Sequence, residues 1–344
     1  MSGFLRNKVN YFINTDIYLA HHYHVYVEQM MNNPIRAYEA DFSNKRQHIV
    51  STIGEFFERE VLCDSMQIPY EWTEVISIIT GEKRTIKISE LIFKGKFTDS
   101  CGMASHVCAQ EVLWKAYKEF FERQSYIANY LFKLEAKKIE IRNYGKSQEI
   151  DAYLKNYLDE IAYYDISLNH NLHVVLALGY ASDSKAAGLG TSRNMELAVE
   201  KSQKEILQYY ATSYNKEKRL YKTKEDIAHK DLYHRYFDGL SVNEVRQMYS
   251  YLENSQVMQF FKEDEAIQMT RSEIINENYE KLKMNPFISV FNGREELGVK
   301  AVKIIDFNWF PHMRPELYEA EKVEWLEKNF GWKRKNFDNW LPFA

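Results

Sequence analysis

Cysteine is scarce in this sequence of 344 residues, which contains only Cys63, Cys101 and Cys108. An odd, widely spaced set without a CxxC pair is neither a disulfide framework nor a structural zinc site. The first residues, MSGFLRNKVNYF, also lack the apolar core of a signal peptide. We therefore expect the protein to work in the reducing cytoplasm.

Long apolar runs, strong net charge and linkers are lacking as well. No stretch of about 18 apolar residues occurs, so we expect no membrane-spanning helix. The formal net charge is −4, and no overall basic field points to nucleic acid. Only six prolines occur, and no Gly/Ser-rich or Pro-rich stretch marks a domain boundary. The sequence therefore predicts a single domain over 1–344, with an N-terminal segment at 1–40 and a variable, mostly helical region at 217–285.

The apolar pattern predicts long helices mixed with strands. Apolar residues at helical spacing predict helices at 47–62, 109–138 and 195–214. Runs rich in β-branched residues predict strands within 73–97, with a turn at Gly81-Glu82, and at 172–181 and 301–310. A loop is expected at 182–193. This mixture is typical of an α/β or α+β domain with a mixed β-sheet.

The pentapeptide Glu-Phe-Phe-Glu-Arg occurs twice, at Glu55–Arg59 and at Glu119–Arg123, each time in a predicted helix. Residues three apart share a helix face, so Glu55 points with Glu58, and Glu119 with Glu122. Glu205 and Gln208 have the same spacing in a third predicted helix. If the three faces converge, they form an acidic nest.

Packed carboxylates repel one another unless a cation lies among them. Mg²⁺ suits that position because it prefers oxygen ligands and commonly bridges carboxylates to substrate phosphates. The candidate metal ligands are Glu55, Glu58, Glu119, Glu122 and Glu205. The competing interpretation is that each pair lies on a solvated helix face, where charge at helical spacing is common.

Cations and backbone donors for phosphate lie near the same segments. Lys45 and Arg46 precede the first acidic helix, and Lys201 lies in the third. Gly188 and Gly190 occur in the predicted loop before that third helix, where free N–H groups could face an anion. A plain loop is the competing interpretation.

Together these segments resemble the three motifs of the YcaO family. Ser51–Arg59 resembles its first motif, Ser-x-x-x-Glu-x-x-Glu-Arg. The segment from Cys101 to Arg123 resembles the second, a Gly/Ala turn and a helix ending in Glu-x-x-Glu-Arg, although Gln124 stands where the family usually has Asp. The segment from Gly188 to Gln208 resembles the third, which ends in Glu-x-x-Gln. The closest likeness is to the cyclodehydratase subunit of microcin B17-type synthetases.

The resemblance implies a YcaO-type fold that binds ATP and Mg²⁺ at the acidic site. The five glutamates would coordinate Mg²⁺ directly or through water. The residues implied to contact nucleotide are Lys45, Arg46, Ser51, Arg123, Lys201 and Gln208; Arg123 could instead pair with the glutamates. Many azoline-forming members end in Pro-x-Pro-x-Pro, of which this chain keeps only Pro342. That departure leaves a catalytic role of the Ala344 carboxylate open.

The resemblance also implies an activity in bacteriocin or antibiotic biosynthesis. The expected activity is ATP-dependent formation of thiazolines or oxazolines at Cys, Ser or Thr of a ribosomal precursor peptide. The implied partners are that peptide, an E1-like leader-binding protein, an FMN-dependent dehydrogenase and a second copy of this chain within a hetero-oligomer. Thioamidation, macrolactamidine formation and a non-catalytic scaffold role remain alternatives, because the acidic residues would handle ATP in all the enzymatic cases.

Overall fold

The protein is described by a computed structural model over residues 23–29, 35–41, 51, 53–59, 61, 71–92, 100–141, 145–218, 232–259, 268–291, 298–318 and 320–343. The chain divides into two compact units. The first unit comprises 1–123 and 275–312, and the second comprises 124–274 and 313–344. This division does not test the single domain expected over 1–344, which stays a prediction.

Strands and helices alternate along the described residues. The strands are β1 (Tyr23–Gln29), β2 (Ile35–Asp41), β3 (Trp72–Ser77), β4 (Lys83–Lys87), β5 (Met103–His106), β6 (Lys137–Glu140), β7 (Glu160–Asp165), β8 (His173–Tyr180), β9 (Lys185–Ser192), β10 (Gln256–Gln259), β11 (Phe287–Phe291) and β12 (Lys300–Ile305). The helices are α1 (53–59), α2 (Ile88–Ile92), α3 (Ala109–Phe132), α4 (Gly145–Leu154), α5 (Met195–Lys218), α6 (Leu232–Gly239), α7 (Val242–Met248), α8 (Arg271–Leu282) and α9 (Ala320–Phe330).

The first unit is built on an antiparallel sheet. Its strand order is β4-β3-β11-β12-β5, so β5 is a terminal strand. The apolar cluster on this sheet includes Val75, Met103, Phe287 and Ile305, together with Val61 from the end of the first acidic segment. Strands β1 and β2 form a separate antiparallel pair. Burial of this cluster holds the first acidic segment against the sheet.

The second unit is built on a mixed sheet with the order β10-β6-β7-β8-β9, so β9 is a terminal strand. Only the β10–β6 pair is parallel among these neighbours. Every residue of β8 after His173 is buried, as expected for a strand covered on both faces. The buried stripe of α5 packs against β9 and β8; it includes Ala198, Val199 and Ile206.

Several predicted elements are confirmed. Residues 51, 53–59 and 61 are helical, within the predicted helix at 47–62. The strands expected at 172–181 and 301–310 correspond to β8 and β12, and the helix expected at 195–214 corresponds to α5. Gly81 has a positive φ of 72° in the turn between β3 and β4. The mixed α+β fold class is therefore confirmed.

The strand prediction at 73–97 was wrong at its end, because residues 88–92 form α2. The Glu90 carboxylate accepts a hydrogen bond from the Lys87 backbone N–H at 3.3 Å, just before the helix begins. A carboxylate at this position satisfies an N–H that the first helical turn leaves without a partner. The local capping interaction thus ends β4 and starts a helix.

The prediction that α3 continues to 138 was also wrong. Lys133 adopts a positive φ of 47°, and the Asn129 side-chain amide donates to the Leu134 carbonyl at 3.1 Å. A left-handed residue after the last turn ends a helix, and the side-chain bond secures the reversal. The chain then resumes as β6.

The loop expected at 182–193 was wrong, because most of this stretch is β9. A side chain at Gly188 would place its Cβ 2.1 Å from the Ser202 backbone oxygen, and one at Gly190 would lie 2.1 Å from the Ala198 backbone oxygen. Both contacts are with the backbone of α5. The glycines therefore allow a helix and a strand to approach closely, and they do not form an anion-binding loop.

The region expected to be mostly helical, 217–285, contains α6, α7, α8 and the short strand β10 in its described part. Serine 241 caps α7: its hydroxyl accepts from the Glu244 N–H while the Glu244 side chain accepts from the Ser241 N–H. Such a capping box is a sequence-local reason for a helix to begin here. Among the described residues, no helix is long and apolar enough to cross a membrane.

Candidate functional site

The first acidic helix presents two carboxylates that are each held by a specific partner. Arg59 donates to Glu55 Oε1 at 2.5 Å, one helical turn away. Glu58 Oε1 accepts a hydrogen bond from the backbone N–H of Ser105 on β5 at 2.7 Å. Charge-assisted bonds of this kind are stronger than neutral ones and fix the direction of a carboxylate.

The Glu58 carboxyl group lies in an environment that disfavours its charged form. Burial raises its pKa from 4.5 to about 7, and the negative charge of Glu55 adds to this increase. The Ser105 N–H and the positive charge of Lys115 lower the pKa and partly offset the burial. A cation beside this carboxylate would relieve both causes of the raised pKa.

The second acidic segment lies on α3, which also carries Lys115. Because the charge of Lys115 acts on Glu58, this part of α3 lies close to α1 within the first unit. Glu119 lies one turn after Lys115 on the same helix face, and Glu122 follows it by three residues. Glu122 is buried and Glu119 is half-buried. The helix that carries the second acidic segment therefore passes near Glu58, and the convergence of Glu119 and Glu122 on the same site stays a prediction.

The third acidic segment belongs to the second unit. Glu205 Oε2 accepts from the Leu189 backbone N–H at 2.8 Å, and Lys201 Nζ donates to the Thr191 carbonyl oxygen at 2.7 Å. Leu189 and Thr191 both lie on β9, and Gln208 follows Glu205 by three residues on α5. Two predicted site residues thus contact the outer edge of a terminal strand.

The donor set on α1 suits Mg²⁺ in chemical terms. Mg²⁺ is usually held by one or two protein carboxylates, with phosphate oxygens and water completing its shell. Glu55 and Glu58 lie one turn apart on α1 and supply that number of carboxylates. Among the described residues, no group of three or more His, Cys, Asp or Glu side chains is arranged to hold a metal ion. The assignment of all five glutamates as ligands stays a prediction.

The remaining predicted residues are placed as follows. Ser51 is helical and half-buried, and Arg123 is half-buried directly after Glu122. Lys45, Arg46 and Ala344 lie outside the described residues. In the second unit, the Pro342 carbonyl accepts from the Tyr249 hydroxyl at 2.9 Å. The segment just before Ala344 is therefore fixed by a buried tyrosine.

Sequence reasoning missed three residues of this region. Arg59 was visible from its spacing of four residues from Glu55, which is a common ion-pair spacing in helices. Lys115 was visible from its spacing of four residues from Glu119. Ser105 gave no signal, because its contact with Glu58 joins positions 47 residues apart.

The three acidic segments all fall within one family match. The model of the family described as "YcaO cyclodehydratase, ATP- and Mg²⁺-binding" matches residues 27–305, well over half of the chain. This chain belongs to the YcaO family. It is thus a member of a family of enzymes that bind ATP and Mg²⁺. No curated protein sequence matches this YcaO chain.

Solved structures with the same fold include a chain of the Escherichia coli microcin synthetase McbBCD complex. It has a TM-score of 0.65 and 18% identity, covering 88% of this chain and 92% of that one. The same complex with pro-MccB17 bound gives a TM-score of 0.66 and 17% identity, covering 98% and 100%. YcaO from Methanopyrus kandleri bound with AMPPCP and Mg²⁺ gives 0.65 and 15%, covering 83% and 82%. At these identities the likeness establishes the fold.

Proposed function

We propose that this YcaO protein is the cyclodehydratase subunit of a peptide-modifying synthetase, which uses ATP to form thiazolines or oxazolines from Cys, Ser or Thr. The observation that carries the proposal is the family match over 27–305, which contains all three acidic segments. The hydrogen bonds that orient Glu58 and Glu205 support it, because a phosphoryl-transfer site needs carboxylates in fixed positions.

The proposed reaction removes an amide oxygen, which leaves poorly as hydroxide because the pKa of its parent water is about 15.7. A peptide side chain adds to the preceding carbonyl carbon and loses its proton. The former carbonyl oxygen then attacks the γ-phosphorus of ATP, and ADP leaves. Phosphate departs as the amide nitrogen forms a C=N bond and releases its proton. One water equivalent is lost from the peptide for each ATP converted to ADP and phosphate.

Little covalent chemistry is asked of the protein in such a transfer, so its residues act by position and charge. Mg²⁺ would neutralise phosphate charge when bound beside Glu55 and Glu58. Arg59 keeps Glu55 in place through their ion pair. Arg123 and Lys201 are the described cations proposed to contact the nucleotide, and the Lys201 ammonium group donates to the Thr191 carbonyl oxygen.

The proposed partners are a precursor peptide, an E1-like leader-binding protein, an FMN-dependent dehydrogenase and a second copy of this chain, in the cytoplasm. Support comes from the solved structures of similar fold, one of which is a multi-subunit synthetase with pro-MccB17 bound. The partners themselves would be found by purifying the tagged chain from its native cell.

The deciding experiment is mass spectrometry of candidate precursor peptides after incubation with this chain, its partners, ATP and Mg²⁺. Loss of the mass of one water per modified Cys, Ser or Thr supports the proposal. Replacement of oxygen by sulfur would indicate thioamidation instead. If no ATP-dependent change occurs in any peptide, and Glu122→Ala does not impair the assembled complex, a scaffold role is indicated.

A further inference from the structure

Ser105 is a buried polar residue of the second motif segment, to which the motif comparison assigns no role. It lies on β5 and is 4% exposed. Its backbone N–H donates to Glu58 Oε1 at 2.7 Å, and its hydroxyl donates to the Gly54 carbonyl oxygen at 2.8 Å. One residue of the sheet thus makes two hydrogen bonds with the first acidic helix.

The position of Ser105 explains why its N–H is available. Within the described residues β5 is a terminal strand whose neighbour is β12, and Ser105 lies opposite Ala301. In an antiparallel pair, alternate residues direct their backbone groups away from the neighbouring strand. The Ser105 N–H points outward in this way, and α1 lies at that edge to receive it.

The two acceptors come from residues one helical turn apart. Gly54 is four residues before Glu58, and helical side chains lean toward the N-terminus, so the Glu58 carboxylate extends back toward the turn that contains the Gly54 carbonyl. The backbone N–H of Ser105 fixes the direction of the carboxylate. The hydroxyl of Ser105 fixes the helix backbone beside it.

We propose that Ser105 is a positioning residue for the magnesium–nucleotide site, acting through its two hydrogen bonds to α1. This inference rests on the proposed function, because it takes Glu55 and Glu58 as the carboxylates of that site. The backbone N–H orients Glu58 directly. The hydroxyl holds the Gly54 carbonyl of the same helix beside β5.

A purely structural role would give a different result from a positioning role. Either role predicts some loss of stability when the hydroxyl is removed, because a buried carbonyl loses a donor. Only the positioning role predicts a change in the dependence on Mg²⁺ at temperatures where the variant is fully folded. The test therefore follows Mg²⁺ dependence alongside the melting temperature.

The experiment compares Ser105→Ala, Ser105→Thr and Ser289→Ala in the full chain. Ser289 is a matched control, because it is 2% exposed on β11 of the same sheet and undergoes the same chemical change. ATP binding is measured by calorimetry over a range of MgCl₂ concentrations. We expect Ser105→Ala to need about fivefold more Mg²⁺ for half-maximal ATP binding, the effect of one lost hydrogen bond. Ser105→Thr should restore the wild-type requirement, and Ser289→Ala should not change it.

The outcomes separate this inference from the proposed function. If the wild-type chain binds ATP but Ser105→Ala and Ser289→Ala show the same Mg²⁺ dependence, the role of Ser105 is refuted and the proposed function stands. If the wild-type chain binds no ATP with Mg²⁺ present, both are refuted. If ATP binding follows the expected pattern but no peptide is dehydrated, the positioning role is supported and the cyclodehydratase proposal fails.

Discussion

A glutamate carboxylate lies at the outer edge of β5 and another at the outer edge of β9. The carboxylate at β5 comes from α1, which precedes the strand by many residues. The carboxylate at β9 comes from α5, which follows the strand directly in the chain. Glu58 accepts from Ser105 in the first unit, and Glu205 accepts from Leu189 in the second. Both glutamates therefore bind an outward-facing backbone N–H of a terminal strand. The same local arrangement has been reached through different connections.

The two edges differ in how closely the helix approaches. A Cβ on Gly190 would lie 2.1 Å from an α5 backbone oxygen, so α5 nearly touches β9. A Cβ on Gly54 of α1 would lie 3.5 Å from Ser105 Oγ, an ordinary contact distance. The second unit thus depends on the absence of side chains, whereas the first depends on a side-chain hydroxyl to bridge a wider gap.

The largest expected effect is the loss of activity when α1 or α5 loses a site carboxylate. Glu55→Gln in the first unit and Glu205→Gln in the second should each lower ATP turnover with peptide and partners by at least about 100-fold, as charge neutralisation of the transferred phosphoryl group is weakened. Circular dichroism should show an unchanged fold. Glu74→Gln, at an exposed ion pair with Lys83, is the control and should keep full turnover. Wild-type turnover in Glu205→Gln would remove α5 from the site.

The next effect is on stability at the close contact. Gly190→Ala should lower the free energy of unfolding by about 3 kcal/mol, because the added methyl group overlaps the α5 backbone. Urea denaturation measures this change. Gly145→Ala, where a Cβ would meet nothing within 4 Å, is the control and should not be destabilised. Equal effects at both positions would mean that α5 is not held as closely as described.

The burial of Glu58 should make the free energy of unfolding depend on pH. The folded pKa of Glu58 is raised by burial to about 7, above its ordinary value of 4.5. Between these values the folded state retains a proton that the unfolded state releases, so raising the pH favours unfolding. The free energy of unfolding of the wild type, relative to Glu58→Gln, should fall from about pH 4.5 to about pH 7 and then level off. Denaturant titrations across this range measure it, and parallel curves for the two proteins would contradict the assignment.

The smallest effect is expected at the wider contact. Gly54→Ala should be neutral or stabilise the first unit by about 0.5–1 kcal/mol, because glycine weakens a helix and the new methyl group has room. Thermal denaturation of Gly54→Ala, Gly190→Ala and the wild type measures the two stability changes side by side. A strong destabilisation by Gly54→Ala would show that α1 lies as close to β5 as α5 does to β9.

Much of the fold could be predicted, because the helices that carry the acidic segments and the buried strand β8 have clear periodicity. The prediction of a loop at 182–193 was wrong because the glycines of β9 interrupt the apolar pattern by which a buried strand is recognised. These glycines are required by the close approach of α5, which the local sequence does not show. The end of α3 failed because it depends on the left-handed Lys133 and on the Asn129 side chain. Both errors arise from specific contacts, which the spacing of apolar residues does not reveal.

The candidate site could be predicted only as a set of residue types. The repeated Glu-x-x-Glu-Arg spacing predicted Glu55 and Glu58 as candidate ligands, and the same pentapeptide includes Arg59. It did not contain Ser105, since a contact between distant positions leaves no mark in either local sequence. The roles of Lys45, Arg46 and Ala344 stay predictions, because these residues lie outside the described part of the chain.

The hydrogen bonds at β5 and β9 have a consequence for how this protein can assemble. A terminal strand with unpaired backbone N–H and C=O groups can pair with a strand of another chain. Here the Ser105 N–H is taken by Glu58, and the Leu189 N–H and Thr191 carbonyl are taken by Glu205 and Lys201. A second chain arriving at these backbone groups would have to displace a side-chain hydrogen bond before it could pair with the strand there.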